Sequence, residues 1–255
     1  MNDRPSSLLV VVAHPDDESF GCGSLLAYSA AQGVRTVVCC ATRGESGEDA
    51  LGLAVEESLG QVREKELHAA AALLGVADVR VLDWSDSGMA GDPPPGSLAA
   101  ASIESISEVV GAVITQVQPD VVITLDGSDG HRDHAQIREA TLLAVERSAW
   151  PVRSVYLSCL ARSLMARWVE LLTELNPGSS YLELGELGTP DELITTVVDT
   201  SSVYERRWQA IRAHASQQSP YEMLPPTLQH AFLATDYLRR MRPEWQGGER
   251  ETQFI

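Results

Sequence analysis

The stretch Leu8-Leu9-Val10-Val11-Val12-Ala13 is an unbroken apolar, largely β-branched run that stops at His14-Pro15. A run with no polar alternation needs cover on both faces, so it reads as a buried strand of a parallel sheet. Val34–Cys40 and Pro119–Leu125 read the same way, with shorter strands at Val79–Leu82 and Ser154–Cys159. Between them lie stretches of helical spacing: Gly21–Gln32 stopped by Gly33, Val55–Leu74 stopped by Gly75, and Ala99–Val117. A further helix runs from Asp133, with Ile137, Ala140, Ala144 and Val145 on one face. Gly88–Gly96, with three consecutive prolines, is a loop, and later only Ile194–Val198 (strand) and Val203–Ala213 (helix) stand out. Strands alternating with helices predict an α/β fold: a Rossmann-like, doubly wound, mostly parallel sheet with helices on both faces. Ligands of such sheets gather outside the strands' carboxyl ends, at the switch in strand order.

The 255 residues show no shift in composition that marks a linker, and 44% are hydrophobic, so one domain over 1–255 is expected. A formal charge of −17 sets a field that repels nucleic acid and anionic membrane surfaces, which leaves a small molecule as the expected partner. Leu8–Ala13 is too short for a membrane span or a signal h-region, so a cytoplasmic location is expected. An oligomer is compatible with the sequence, which specifies no assembly. The four cysteines form no C-x-x-C pair and no disulfide framework. Cys39 and Cys40 read as buried small hydrophobes, whereas Cys22, near the acidic motif described next, is expected to be more exposed and is weighed as a minor candidate nucleophile.

Two predicted strand ends carry unusual chemistry. His14-Pro15-Asp16-Asp17-Glu18 packs one imidazole and three carboxylates into five residues, where like charges repel unless a cation sits among them. In a tight turn His14 and Asp17 converge on one ion and Asp16 stays at its edge; the alternative is a solvated acidic turn. Gly130-His131-Arg132-Asp133-His134 follows the strand that ends at Leu125 and places two imidazoles on one helix face. That spacing serves two ligands, or one ligand beside a catalytic group; the alternative is an ordinary helix start capped by Asp133. His68 and His230 lie in helical patterns and read as surface or packing residues.

The pair of motifs, Ala-His-Pro-Asp-Asp-Glu after the first strand and Gly-His-Arg-Asp-His after a later one, resembles the LmbE-like (PIG-L) zinc deacetylases. Thr42–Glu48, Arg63-Glu64-Lys65-Glu66-Leu67 leading to Leu74-Gly75-Val76, and Ala213-His214-Ala215-Ser216-Gln217 extend the likeness across residues 7 to 218. Arg132 departs from the family pattern, which commonly has proline there; it reads either as a side chain at the mouth of the site or as a solvated one. Asp86-Ser87-Gly88-Met89 is similar to a segment of the mycothiol-pathway branch, whose members deacetylate an inositol-linked N-acetylglucosamine or cleave related amides.

The resemblance implies one zinc ion held by His14, Asp17 and His134; iron, cobalt or manganese would suit the same donors. It implies removal of an N-acyl, chiefly acetyl, group from an amino-sugar conjugate. Asp16 would be the general base, and His131, as an imidazolium oriented by Asp133, would stabilise the oxyanion and protonate the leaving amine. Arg63, Asp86 and His214 would contact the substrate. Other readings are an amidase acting on a thiol conjugate or an acylated natural-product sugar, and a metal-binding homologue without catalysis. A nucleotide-binding turn at Gly21-Cys22-Gly23 is disfavoured, because Leu26 stands where the G-x-G-x-x-G fingerprint needs glycine. Residues 43–60 and 85–97 are the expected selectivity loops.

Overall fold

The computed structural model describes residues 6–52, 58–89, 91–178 and 180–255. The first strand, β1 (Ser7–Val12), is buried along its whole length and leads through a short α1 (Asp17–Phe20) into α2 (Gly23–Ala31) and β2 (Arg35–Cys40). Then come α3 (Leu59–Leu74), β3 (Asp78–Val81), α4 (Ile103–Val117), β4 (Val121–Leu125), α5 (Arg132–Arg147) and β5 (Ser154–Cys159). The chain ends in α6 (Arg162–Leu175), β6 (Thr196–Asp199), α7 (Tyr204–Ala213), α8 (Pro226–Leu233) and β7 (Thr235–Arg242). Among the described residues the strands form one seven-stranded sheet in the order β3-β2-β1-β4-β5-β7-β6. β1 to β5 are mutually parallel, while β7 runs antiparallel to both β5 and β6.

The two-residue period of a strand explains the unbroken apolar run of β1. Leu8, Val10 and Val12 face one way and pack with Leu25, Leu67 and Leu74, while Leu9, Val11 and Ala13 face the other and pack with Ile106, Val110 and Ile137. The strand order reverses between β1 and β4, which are neighbours in register from Leu8 opposite Val121 to Val11 opposite Thr124. Their carboxyl ends therefore open a crevice at the switch point, and both histidine motifs leave from it.

The helix expected from Ala99 is broken: Leu98–Ala100 is a single tight turn, and α4 starts at Ile103 because the Ser102 hydroxyl accepts the Ser105 N–H at 3.1 Å. The beginning of the Val55–Leu74 helix lies outside the described residues, and its described part starts at Leu59 behind a Ser58–Gln61 capping box. α6, α8 and β7 carry no strong signal in the sequence; α6 and α8 close a third apolar cluster with Leu164, Leu228 and Phe232.

Cys22 is fully buried among Leu25 and Leu26, and desolvation pushes its thiol up to about 12, which corrects the expectation of exposure and removes it as a nucleophile. The other three cysteines are also free and buried. At neutral pH the native protein is expected to resist a thiol reagent such as DTNB and to release all four thiols only on unfolding. A rapidly modified native Cys22, located by peptide mapping, would contradict its burial. No described helix is long and apolar enough to cross a membrane.

Candidate active site

β1 ends in a turn so tight that Asp16 takes φ 125°, a left-handed conformation that a non-glycine residue adopts only when its surroundings enforce it. The turn aims Asp17 back over the strand end, where its Oδ2 accepts the backbone N–H groups of Ala13 (3.2 Å) and His14 (2.8 Å). Across the crevice, His131 is the N-cap of α5, its Nδ1 accepting the Asp133 N–H at 3.1 Å, so the cap is the histidine and not Asp133. His134 then projects from the first turn of α5 toward His14.

Carboxylates behind the two rings fix how they are turned. His14 Nε2 lies 3.1 Å from Asp133 Oδ2 and His134 Nδ1 lies 2.5 Å from Asp129 Oδ2, so each of these nitrogens donates to a carboxylate. The other ring nitrogens, His14 Nδ1 and His134 Nε2, face each other at 3.3 Å. Asp17 joins them, with Oδ1 at 3.2 Å from His134 Nε2 and Oδ2 at 3.6 Å from His14 Nδ1. Against the cost of burial, the carboxylates around them push both imidazoles up, His134 to about 10, and a divalent cation seated between the rings and Asp17 would displace the protons they attract. The fit is also metric, since a tetrahedral zinc with bonds of about 2.0–2.1 Å sets its ligand atoms roughly 3.3 Å apart. His14, His131 and His134, and separately His14, Asp86 and Asp133, also come close enough for metal binding. The first of these groups uses a histidine committed as a cap, and the second uses the His14 nitrogen that donates to Asp133.

Asp16 sits beside the trio without joining it. Arg63, only 3% exposed, donates to Asp16 Oδ2 at 2.9 Å, to Pro15 O at 2.5 Å and to Gly44 O at 2.7 Å. Burial pushes the Asp16 carboxyl up to about 6, against the pull of the Arg63 cation. Gly44 (φ 67°) and Gly47 wrap the guanidinium so closely that a methyl group on either would collide with it.

Several expected roles are placed differently. Asp133 is wholly buried, and its carboxylate is turned to Ser87, accepting both the Ser87 N–H (2.9 Å) and hydroxyl, and to His14, not to the His131 ring. It does orient His131, but through its backbone amide. An Nδ1 that accepts an amide hydrogen is unprotonated, and burial together with the neighbouring His14 and His134 pushes His131 down to about 4; the ring is neutral, with its proton on Nε2, and not an imidazolium. Arg63 spends its guanidinium inside the turn instead of offering it to a substrate. His214 is 1% exposed with Nε2 2.7 Å from Glu18 Oε1, behind Asp16, so it does not line an open cleft. Asp86, 6% exposed, stands 3.5 Å from His14 Nε2 and accepts the Gly88 N–H. Arg132 reaches away to Gly91 O at 2.8 Å, tying α5 to the expected selectivity loop.

The sequence reading missed Asp129 and the part played by Glu18. Asp129, in a Ser-Asp-Gly turn, looks like an ordinary turn former, and only its place directly before a histidine motif hinted at more.

The family profile described as "PIG-L: GlcNAc-PI de-N-acetylase" matches residues 9–145, which include both motifs. A 1D-myo-inositol 2-acetamido-2-deoxy-alpha-D-glucopyranoside deacetylase of Acidothermus cellulolyticus is 38% identical, covering 92% of this chain and 89% of that protein. Among solved structures, the zinc-inhibited form of the teicoplanin deacetylase Orf2 superposes with a TM-score of 0.63 at 18% identity, covering 94% of this chain and all of the other. GalB, a 4-carboxy-2-hydroxymuconate hydratase of Pseudomonas putida, superposes with a TM-score of 0.62 at 20% identity over 95% of this chain and 99% of its own, so the fold by itself does not name a reaction. With its profile match and its relative across nearly the whole length, the chain belongs to the PIG-L, or LmbE-like, family.

Proposed function

We propose that this protein is a zinc-dependent deacetylase that removes the N-acetyl group from a small amino-sugar conjugate, with an inositol-linked N-acetylglucosamine as the first candidate. The observation that carries the reading is the convergence of His14 Nδ1, His134 Nε2 and the Asp17 carboxylate, with Asp16 adjacent and uncommitted to them. The likeness to the Acidothermus cellulolyticus enzyme supports the choice of substrate.

His14, Asp17 and His134 would hold the ion, and Asp133 and Asp129 would fix the two rings from behind. A bound divalent cation supplies Lewis acidity toward the acyl carbonyl and the attacking water. Asp16, raised toward neutrality, takes one proton from the water as its oxygen bonds to the carbonyl carbon. His131, neutral and protonated on Nε2, donates a hydrogen bond to the oxyanion that forms. As the C–N bond breaks, Asp16 returns its proton to the departing amine, leaving the free amino sugar and acetate. Asp16 thus takes over the acid role first expected of His131.

The test is a panel assayed with zinc-loaded protein: the inositol glycoside, diacetylchitobiose, an acylated glycopeptide sugar and a thiol-conjugate amide, followed by mass spectrometry. Loss of acetyl with the highest kcat/KM on the inositol glycoside is expected. A panel left wholly intact would overturn the deacetylase reading, and fastest cleavage of the thiol conjugate would redirect it to that amidase class.

A further inference from the structure

Glu18 is fully buried, and its two oxygens are used differently. Oε2 accepts the Asp16 N–H at 2.9 Å, while Oε1 accepts from His214 Nε2 at 2.7 Å and from the Ser19 hydroxyl at 2.5 Å. The residue whose amide is held this way is the one in the left-handed conformation at φ 125°. Nothing in an isolated turn favours that backbone for an aspartate, so the bonds around it must select it. His214 follows directly on α7 and is in turn fixed by its neighbours. The Ser216 N–H and hydroxyl donate to Glu66 on α3, Ala50 N–H donates to Ser216 O, and Gln217 donates to Glu48 O. The segment 214–217 thus ties α7, α3 and the loop after β2 to the turn that carries Asp16.

We propose that the Glu18–His214 pair is a positioning clamp: anchored by the C-terminal end of α7, it holds the Asp16 backbone in its left-handed turn and so aims the Asp16 carboxylate at the reacting water. This rests on the reading of Asp16 as the proton-transfer group. His214 acts through Glu18 and touches neither substrate nor metal ligand; its other ring nitrogen, Nδ1, is buried and has no hydrogen-bond partner among the described residues. Arg63 restrains the same carboxylate from the side, but it grips the side chain and the Pro15 carbonyl, whereas the clamp grips the Asp16 amide.

The experiment compares His214→Leu, His214→Gln and Asp16→Asn, singly and with His214→Leu and Asp16→Asn combined, in zinc-loaded enzyme with the inositol-linked N-acetylglucosamine as substrate. His214→Leu should lower kcat by about 10²-fold, the scale of a roughly 1 Å misplacement, with KM and zinc content unchanged. His214→Gln, whose amide can still donate to Glu18, should recover most of that loss. The double variant should be no slower than Asp16→Asn alone, because both changes act on one group. If His214→Leu does not yield folded protein, Glu18→Gln replaces it, with the same loss confined to kcat. A raised KM, an unchanged kcat, or an additive double variant overturns the clamp. Near-normal turnover in Asp16→Asn instead overturns the role of Asp16, so the two failures are told apart.

Discussion

Asp16→Asn is expected to lower kcat by about 10²- to 10⁴-fold, the usual contribution of a positioned acid–base group, while the protein keeps its zinc and its KM. The substitution conserves shape, and the amide oxygen can still accept from Arg63. What it removes is a carboxylate that burial has brought to about 6, able to take a proton from water and to release it within one turnover. Metal retention follows from geometry, since the three facing donor atoms belong to His14, Asp17 and His134. Metal analysis of the purified variant beside steady-state kinetics checks both halves. Turnover near that of the unmodified enzyme would move the proton work elsewhere.

His134→Ala should fail in the opposite way, losing metal and activity together. It deletes one of the converging ring nitrogens and leaves the Asp129 carboxylate without its ring partner. Replacing a residue that backs a ligand typically weakens metal binding about 10–100-fold, so Asp129→Asn should fall in that range and His134→Ala beyond it. The readouts are zinc content after dialysis against a chelator, and recovery of activity on adding zinc back. Recovery is expected for the unmodified protein and not for His134→Ala. A fully metallated, active His134→Ala variant would rule out this ligand set.

The legible parts of the structure are those in which one physical cause dominates. β1, β2 and β4 show as mostly apolar, β-branched runs because both of their faces are covered. The crevice followed from strand order, and the two histidine motifs marked its walls. β7 was not legible because its sequence, Thr-Asp-Tyr-Leu-Arg-Arg-Met-Arg, is charged, and it is held as a strand by antiparallel pairing to β5 and β6. At the site, residue type alone could not show that Asp133 faces Ser87 and His14, or that His131 spends a nitrogen on capping a helix. The first assignment depends on contacts across 46 and 119 residues, and the second on which way a ring turns at a helix start. His214 illustrates the same limit: a histidine in a family motif invites a substrate role, and only its burial against Glu18 shows that it faces inward.

The pairing of β1 with β4 joins segments 113 residues apart, as in the hydrogen bond from the Thr124 hydroxyl to Val11 O. A ribosome releases β1, β2 and β3 long before β4, so the nascent first half can assemble its parallel strands while one edge of β1 stays open. Until α5 has been made, the acidic turn of Asp16, Asp17 and Glu18 lacks the His134 that faces it in the folded protein. That turn is enclosed in stages, first when α5 brings His134 and last when α7 delivers His214 to Glu18. The contacts that surround the acidic turn are therefore complete only once the C-terminal third of the chain is in place.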